Sequence, residues 1–231
     1  METRAIKTRI FKENEDIIKF LLQHIVAKEN SIVVLTSKIV SLAEGRVVAL
    51  KNKKQKVSLI KKESDLSIET GLTWFTIKNN MVMAQSGIDE SNGNGKLILL
   101  PKDSYKSAEK IRRALRKKFK IKNLGVLITD SGFTPMRSGA VGMALGYAGF
   151  EGVKNYIGRK DIFGRVLKLT RTNVADALSA AAVLCMGEGM EQQPIAMIAG
   201  APVKFKDKIN KKELVIPPKK DIYAPLFNKI N

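Results

Sequence analysis

Three carboxylates stand in glycine-containing segments just beyond apolar runs: Asp89 in Ser86-Gly-Ile-Asp-Glu-Ser-Asn92, Asp130 in Ile128-Thr-Asp-Ser-Gly132 and Glu188 in Met186-Gly-Glu-Gly189. Brought together by a fold, they would offer hard oxygen ligands for magnesium or manganese. Such an ion clamps phosphate oxygens beside lysines and free backbone N–H groups. Glu188 follows a predicted helix end, where the partial negative charge favours a cation over a bare phosphate. Taken singly, each acid is equally an ordinary turn former. Competing chemistries lack their residues. There is no Walker-A pattern around Gly95-Lys96, no G-x-G-x-x-G after a strand and no nucleophile elbow. One histidine, His24, and one cysteine, Cys185, leave no His/Cys set for zinc and no internal disulfide, so any metal must be held by oxygen. Metal-assisted phosphoryl transfer therefore outranks histidine-based hydrolysis.

The composition bounds the partners. The 231 residues, 44% of them hydrophobic, suffice for one large domain or two small intertwined ones. Lys and Arg number 41 against 22 Asp and Glu, a formal charge of +19 that attracts nucleotides, polyphosphates, carboxylate-rich metabolites or nucleic acid. No apolar run is long enough to span a bilayer, and the Glu2, Arg4, Lys7 opening does not resemble a signal peptide, so a cytoplasmic protein is expected.

The elements that must position the acids follow from periodicity. Asn14 is expected to cap a helix with Ile17, Phe20, Leu21 and Ile25 at helical spacing, with His24 on the same face in a structural role. Ser31 to Leu35 reads as a buried strand, Thr36 to Gly45 as a short helix or turn stopped by glycine, and Arg46 to Leu50 as a second strand. Leu72 to Ile77 and Met81 to Gln85 form a hairpin around Lys78-Asn79-Asn80, and Lys96 to Leu100 is another strand. A helix from Ser104 buries Tyr105, Ala108, Ile111, Leu115 and Phe119 and presents Lys106, Lys110, Arg113 and Lys117 outward. That basic face lacks the interleaved aromatics of a base-stacking surface. Leu124 to Thr129 is a buried strand ending at Asp130, followed by a glycine-punctuated region from 132 to 164. Thr172 to Gly187 is a helix with Val174, Leu178, Ala181 and Cys185 on one face, Cys185 in the core. Ile195 to Ala199 is a late strand. Strands mixed with helices without regular βαβ alternation predict an α+β fold with mixed and antiparallel sheets. The whole of 1–231 reads as one unit, with 203–231 a basic peripheral tail.

Five motifs in register carry a resemblance: Thr36-Ser-Lys-Ile-Val-Ser with Ala43-Glu-Gly-Arg46, Gly87-Ile-Asp-Glu-Ser-Asn92, Gly125-Val-Leu-Ile-Thr-Asp130, Ile157-Gly-Arg-Lys-Asp-Ile-Phe-Gly-Arg165, and Val174-Ala-Asp with Met186-Gly-Glu-Gly189. Over roughly Thr8 to Gly200 the chain resembles the coenzyme F420:gamma-L-glutamyl ligase family. The resemblance implies a GTP-dependent ligase using magnesium or manganese, with two metal sites and ATP as the other possible nucleotide. It would join L-glutamate to the deazaflavin precursor F420-0 through an acyl phosphate and extend by a gamma-linked glutamate. It implies an intertwined homodimer of a fold with few relatives. Carried over by position, Asp89 and Asp130 would share one metal, while Ser131 and Glu188 would hold a second. Thr8, Arg9, Ile10, Phe11, Ser37, Lys38 and Asn92 would line the nucleotide, with Met186, Gly187, Glu188, Gly189, Met190, Glu191, Gln192 and Gln193.

The chain departs from the family pattern at Leu42 and Thr134, where a lysine and an arginine are usual, and at Ala177, where a second acid is usual. One expected cation near the phosphates is thus missing unless Lys38 replaces it. The acceptor is the part of the reading these changes touch, and a folate-type acceptor is the nearest alternative. A non-catalytic, nucleic-acid-binding or scaffold protein on the same fold is a third reading. No membrane partner, flavin or oxidoreductase activity is expected.

Overall fold

Ser31 to Thr36 has no polar alternation because both of its faces are buried, which marks an interior strand. The structure is a computed structural model that describes residues 1–227. Its elements run β1 (Glu2–Ile6), α1 (Ile17–His24), β2 (Ser31–Thr36), α2 (Ser37–Ala43), β3 (Val47–Ala49), α3 (Lys53–Glu63), β4 (Leu66–Glu69), β5 (Trp74–Lys78) and β6 (Met81–Ala84). There follow β7 (Lys96–Ile98), α4 (Ser104–Phe119), β8 (Leu124–Phe133), β9 (Ala140–Ala148), β10 (Val153–Asn155), β11 (Arg171–Asn173), α5 (Val174–Met186), β12 (Ile195–Ala199) and α6 (Ala224–Phe227). The fold is α+β, as the sequence predicts.

The central sheet has the order β1-β12-β2-β8-β9. β2 and β8 pair in parallel with Thr36 opposite Thr129, and the other pairs are antiparallel. Val33, Leu35, Val126, Ile128 and Ile195 point to one face, where α1 and α4 cover them with Phe20, Leu21, Ile111 and Leu115. Ile32, Val34, Leu127, Ala196 and Ile198 point to the other, beneath Ala175, Leu178 and Ala182 of α5. A separate sheet, β4-β5-β6, carries the expected hairpin, whose two turn residues Asn79 and Asn80 have φ of 52° and 60°. Two short ribbons, β3-β7 and β10-β11, complete the chain.

Several sequence-based expectations are corrected here. Asp16, not Asn14, caps α1, its carboxylate accepting from the N–H groups of Ile18 and Lys19. Asn14 has φ 60° and so lacks the extended conformation of an N-cap. The buried stripe of α5 is Ala175, Leu178, Ser179, Ala182, Val183 and Met186, one position round from the expected face, and Cys185 is exposed. His24 keeps a structural role, its Nδ1 2.8 Å from the Phe20 carbonyl. β8 continues past Asp130 to Phe133, and β9 occupies part of the glycine-punctuated region. β9 is poor in β-formers because helices press on it closely. A Cβ on Gly142 would lie 2.3 Å from the Ser179 carbonyl oxygen of α5, and one on Gly146 2.6 Å from the α4 backbone. Within the 203–231 tail, Val203, Phe205, Ile209 and Leu214 pack against the second core cluster.

Arg112 ties these layers together. It is buried on α4, donates through Nε to the Leu124 carbonyl at 2.7 Å and bonds Asp207 of the tail at 2.6 Å. The Arg112 hydrogen bond holds the Asp207 carboxyl below its usual range. Gly149, at φ 92°, leaves the room: a Cβ there would lie 2.1 Å from the Leu124 oxygen and 2.3 Å from Arg112 Nε. Gly149→Ala is therefore expected to cost about 2–4 kcal/mol in urea unfolding, from backbone strain and a displaced buried guanidinium. A change below about 0.5 kcal/mol, the level of a neutral surface substitution, would show that this junction does not hold the layers.

Candidate functional site

Parallel pairing of β2 and β8 carries two chain segments out of the same end of the sheet. The residues following the Thr36–Thr129 pair are Ser37 and Asp130, and the Ser37 hydroxyl donates to Asp130 Oδ1 at 3.1 Å. A cleft of about 760 Å³ opens there. Its walls are the 8–11 segment after β1, α2, the 84–94 loop, the end of β8 and the 186–194 segment after α5. The last wall is fixed at its C-terminal end, by Thr8 N–H to Gln192 O at 2.9 Å and Thr36 N–H to Pro194 O at 3.0 Å.

All three carboxylates line this cleft, with Ser131. Asp89 and Ile98 form an isolated antiparallel bridge, so the 84–96 loop is anchored on both sides of its acid. Lys38 Nζ lies 2.8 Å from Asp89 Oδ2, 3.1 Å from the Ser91 carbonyl and 3.0 Å from the Ser91 hydroxyl. Ser131 donates to Glu188 Oε1 at 2.6 Å. The two aspartates are driven apart in acidity. Burial raises the Asp130 carboxyl to about 6, against the hydrogen bonds from Ser37 and Ser131 N–H, and the nearby Asp89 charge adds to the rise. Burial also opposes ionisation of Asp89, yet Lys38 and the two Ser91 donors outweigh it and hold Asp89 below its ordinary value. Unequal paired carboxylates of this kind favour a bound cation or a proton between them.

The donor set, two aspartates and a serine–glutamate pair, is all oxygen and fits a hard divalent ion. The Lys38 ammonium already shows that a cation is accommodated at Asp89. Among the described residues no three His, Cys, Asp or Glu side chains form a ready-made metal cluster. Ser131 is bonded to Glu188, and Asp130 lies near enough to Asp89 to feel its charge. That suits magnesium, which takes few protein ligands and fills its shell with phosphate oxygens and water.

Of the residues expected at a nucleotide, Thr8, Arg9, Ile10, Phe11, Lys38, Asn92 and the whole of 186–193 line the cleft. Ser37 lies behind it, buried and turned to Asp130. Arg9 reaches the wall but its guanidinium is paired with Glu15 and packed over the Phe20 ring. Leu42 also faces the cleft, so the position where a cation is usual in the resembled family is apolar. Sequence reasoning missed Gln85, Asn94 and Phe133, which line it too. A backbone signal marks this wall: Gln85, Asn92, Asn94 and Gln192 all have positive φ without being glycine. Such strain persists where the surroundings over-determine it. At 85–87 they do, through Ile88 N–H to Gln85 O at 3.0 Å and Ser86 N–H to Thr76 Oγ1 at 2.8 Å.

Residues 5–200 match the profile of the family described as "F420-0:Gamma-glutamyl ligase". The chain is similar to a protein named "Coenzyme F420:L-glutamate ligase" from Methanococcus maripaludis strain C7, 33% identical over 96% of this chain and 97% of that protein. A protein of the same name from Methanocaldococcus jannaschii is 33% identical over 96% of both chains. Another, from Methanothermobacter thermautotrophicus, is 37% identical over 75% of this chain and 76% of its own length.

The raised Asp130 carboxyl has a measurable consequence. In chelator-treated protein the folded state holds the Asp130 proton more tightly than the unfolded chain, so its ionisation costs stability as pH rises from the ordinary value of 3.8 through about 6. Asp130→Asn is expected to unfold a few degrees higher than the parent at neutral pH, as expected for a relieved burial cost. The difference should vanish below about pH 4, where the parent carboxyl is neutral in both states. Parent and variant melting alike across the range would show that the carboxyl is freely solvated.

Proposed function

The chain belongs to the F420-0:gamma-glutamyl ligase family, and on that premise we propose that it joins L-glutamate to the carboxylate of coenzyme F420-0 at the expense of GTP. The observation that carries the reading is the convergence of Asp89, Asp130, Ser131 and Glu188 on one cleft beside Lys38 and the 186–193 segment. An amide cannot form directly from a carboxylate and an amine near neutral pH, because the leaving oxygen must first be activated. In this reading the acceptor carboxylate attacks the terminal phosphorus and GDP leaves. The glutamate amine then attacks the acyl carbon, phosphate leaves, and the amine gives up a proton. Further rounds would extend the product through gamma linkages.

Each residue has a physical task in that scheme. Asp89 and Asp130 would hold one magnesium or manganese and Ser131 with Glu188 a second. The ions would neutralise phosphate charge and orient the transferred group. Lys38 is the cation on the α2 wall, and to meet phosphate oxygens it would exchange one of its present partners, Asp89 or Ser91. Asn92 and the 186–193 backbone would surround the nucleotide, beside the 85–94 loop in which Gln85, Asn92 and Asn94 hold positive φ. Leu42 removes one charge from this environment, which bears on GTP against ATP.

We further infer a homodimer, supported by large apolar side chains left in solvent on the 157–169 segment, where Ile162, Phe163 and Leu169 are nearly fully exposed. Among the described residues no helix is long and apolar enough to cross a membrane. The outward lysines of α4 give the nucleic-acid reading its surface. The intact set of cleft carboxylates favours catalysis over a scaffold.

The test is a mass-spectrometric ligation assay with L-glutamate, magnesium or manganese, and GTP or ATP, offering F420-0 and reduced folate in parallel. A glutamyl adduct of F420-0 is the expected product. Asp89→Asn and Asp130→Asn should each lower turnover by about two orders of magnitude or more while retaining the parent's circular dichroism, as loss of a metal ligand implies. Full activity in both variants would sink the metal assignment. An adduct of folate alone would move the acceptor, and no adduct with salt-dependent nucleic-acid binding would favour the scaffold.

A further inference from the structure

The positive charge of this chain is concentrated. Residues 102–122 and 204–212 hold 15 of its 41 lysines and arginines but only 3 of its 22 acids, so these two stretches carry most of the excess. The fold lays them against each other. Asp207 bonds Arg112 at 2.6 Å and Arg116 at 2.8 Å at the middle and end of α4, while Lys211 Nζ stands 5.9 Å from the Tyr105 ring in its first turn. The 207–211 stretch therefore runs antiparallel along the helix. Glu213 anchors its far end, accepting from the Tyr147 hydroxyl at 2.6 Å and the Gly152 N–H at 2.8 Å. The three acids of the two stretches are already engaged by basic neighbours: Asp207 by the arginines, Glu109 by Arg113 and Asp103 by Lys106. Lys110, Lys117, Lys118, Lys120, Lys208 and Lys211 are exposed, and among the described residues no carboxylate pairs with them.

We propose that this face of α4 and the 204–212 stretch binds the phosphate backbone of duplex DNA without reading its sequence. The property stands beside the ligase reading and does not rest on it. Spacing is the first argument. Lys106, Lys110, Arg113 and Lys117 recur every three or four residues, so they share one side of the helix and span about 16 Å along it, a length in which one strand of a duplex carries about five phosphates. Polarity is the second. α4 buries Ala108, Ile111 and Leu115 under the sheet, and no large apolar side chain of 102–122 or 204–212 is exposed. A lipid surface needs an apolar face to insert, and a protein partner needs aromatic or aliphatic anchors. A phosphate backbone needs neither. The face also lacks the stacking aromatics that hold splayed bases, which leaves a duplex and not a single strand. None of its cations lines the cleft, so DNA and nucleotide would occupy different surfaces.

The experiment is fluorescence anisotropy of a labelled DNA duplex of about 20 base pairs, titrated with the full chain between about 50 and 200 mM salt, with phosphatidylserine vesicles in a parallel sedimentation assay. Two duplexes of unrelated sequence should bind equally. With about five phosphates neutralised, the log–log salt slope should be about −4.5, a loss of several hundred-fold over that range. Combining Lys110→Gln, Lys117→Gln, Lys120→Gln and Lys208→Gln should flatten the slope by about three units, at about 0.9 per phosphate contact. The control combines Lys51→Gln, Lys53→Gln, Lys54→Gln and Lys62→Gln, an equal loss of charge from exposed lysines on and beside α3, and should flatten it by less than about one unit. Circular dichroism checks that both fold. If the first does not, Lys117→Gln alone should flatten the slope by about 0.9. No binding by the parent at the lowest salt, equal weakening by the two combined variants, or a preference for vesicles over the duplex would each overturn the proposal. Glutamate ligation is read separately, so either reading can fail alone.

Discussion

Parallel pairing of β2 with β8 is the constraint on which the rest of this molecule depends. It joins Ser31–Thr36 to Leu124–Thr129 in one register and so brings Ser37 and Asp130, far apart in sequence, within a hydrogen bond. Parallel neighbours need a long crossover, and here that crossover contains α2, α3, the β3-β7 ribbon, the β4-β5-β6 sheet and α4. The loop bearing Asp89 is part of it. The crossover thus delivers the second carboxylate to the end of the sheet where the first one emerges, and the antiparallel partners of the pair, β12 and β9, bring the 186–194 wall and Ala140 to the same end.

Electrostatics then follow from burial. Asp130, recessed and raised to about 6, and Asp89, half-exposed and held below its ordinary value by Lys38 and Ser91, are neighbouring carboxyls in unequal environments. Lys38 supplies part of the missing charge. The large positive total of +19 is of another kind, since the outward lysines of α4 are spread over solvent and do not enter the cleft. The cleft is locally acidic on a basic molecule. Long-range attraction of anions and short-range demand for a cation are therefore separate properties of the surface, and the proposed nucleotide would meet the first before the second.

The legible parts of the fold were those where one residue pattern had one physical solution. Val33, Leu35, Val126 and Ile128 cannot be solvated, and Asn79-Asn80 readily adopts the left-handed turn that a two-residue hairpin needs. The illegible parts were those where tertiary contact overrode local preference. β9 hides because Gly142 and Gly146 serve the close approach of α5 and α4, not strand propensity. The α5 stripe was misread by one position because Ala, Ser and Cys carry little hydrophobic contrast, so only the contact with the sheet sets which of them turns inward. In the site, the acids were visible as residue types in glycine-containing segments, while Lys38 and the 186–193 run entered through the family resemblance. Gln85, Asn94 and Phe133 carried no comparable signal, because their places come from backbone conformation and from where the chain segments meet at the cleft.

By itself the sequence determined the α+β class, the two-sided burial of the central strands, the absence of a His/Cys metal set and the chemical character of the candidate residues. These are properties of composition and of periods of two and three or four residues, which a chain carries wherever it folds. Tertiary structure alone decided that Asp89, Asp130 and Glu188 share a cleft, that Ser37 supports Asp130 from behind and that Arg9 is engaged by Glu15. Those facts depend on strand order and register between segments tens of residues apart, and local sequence does not encode distance across a sheet.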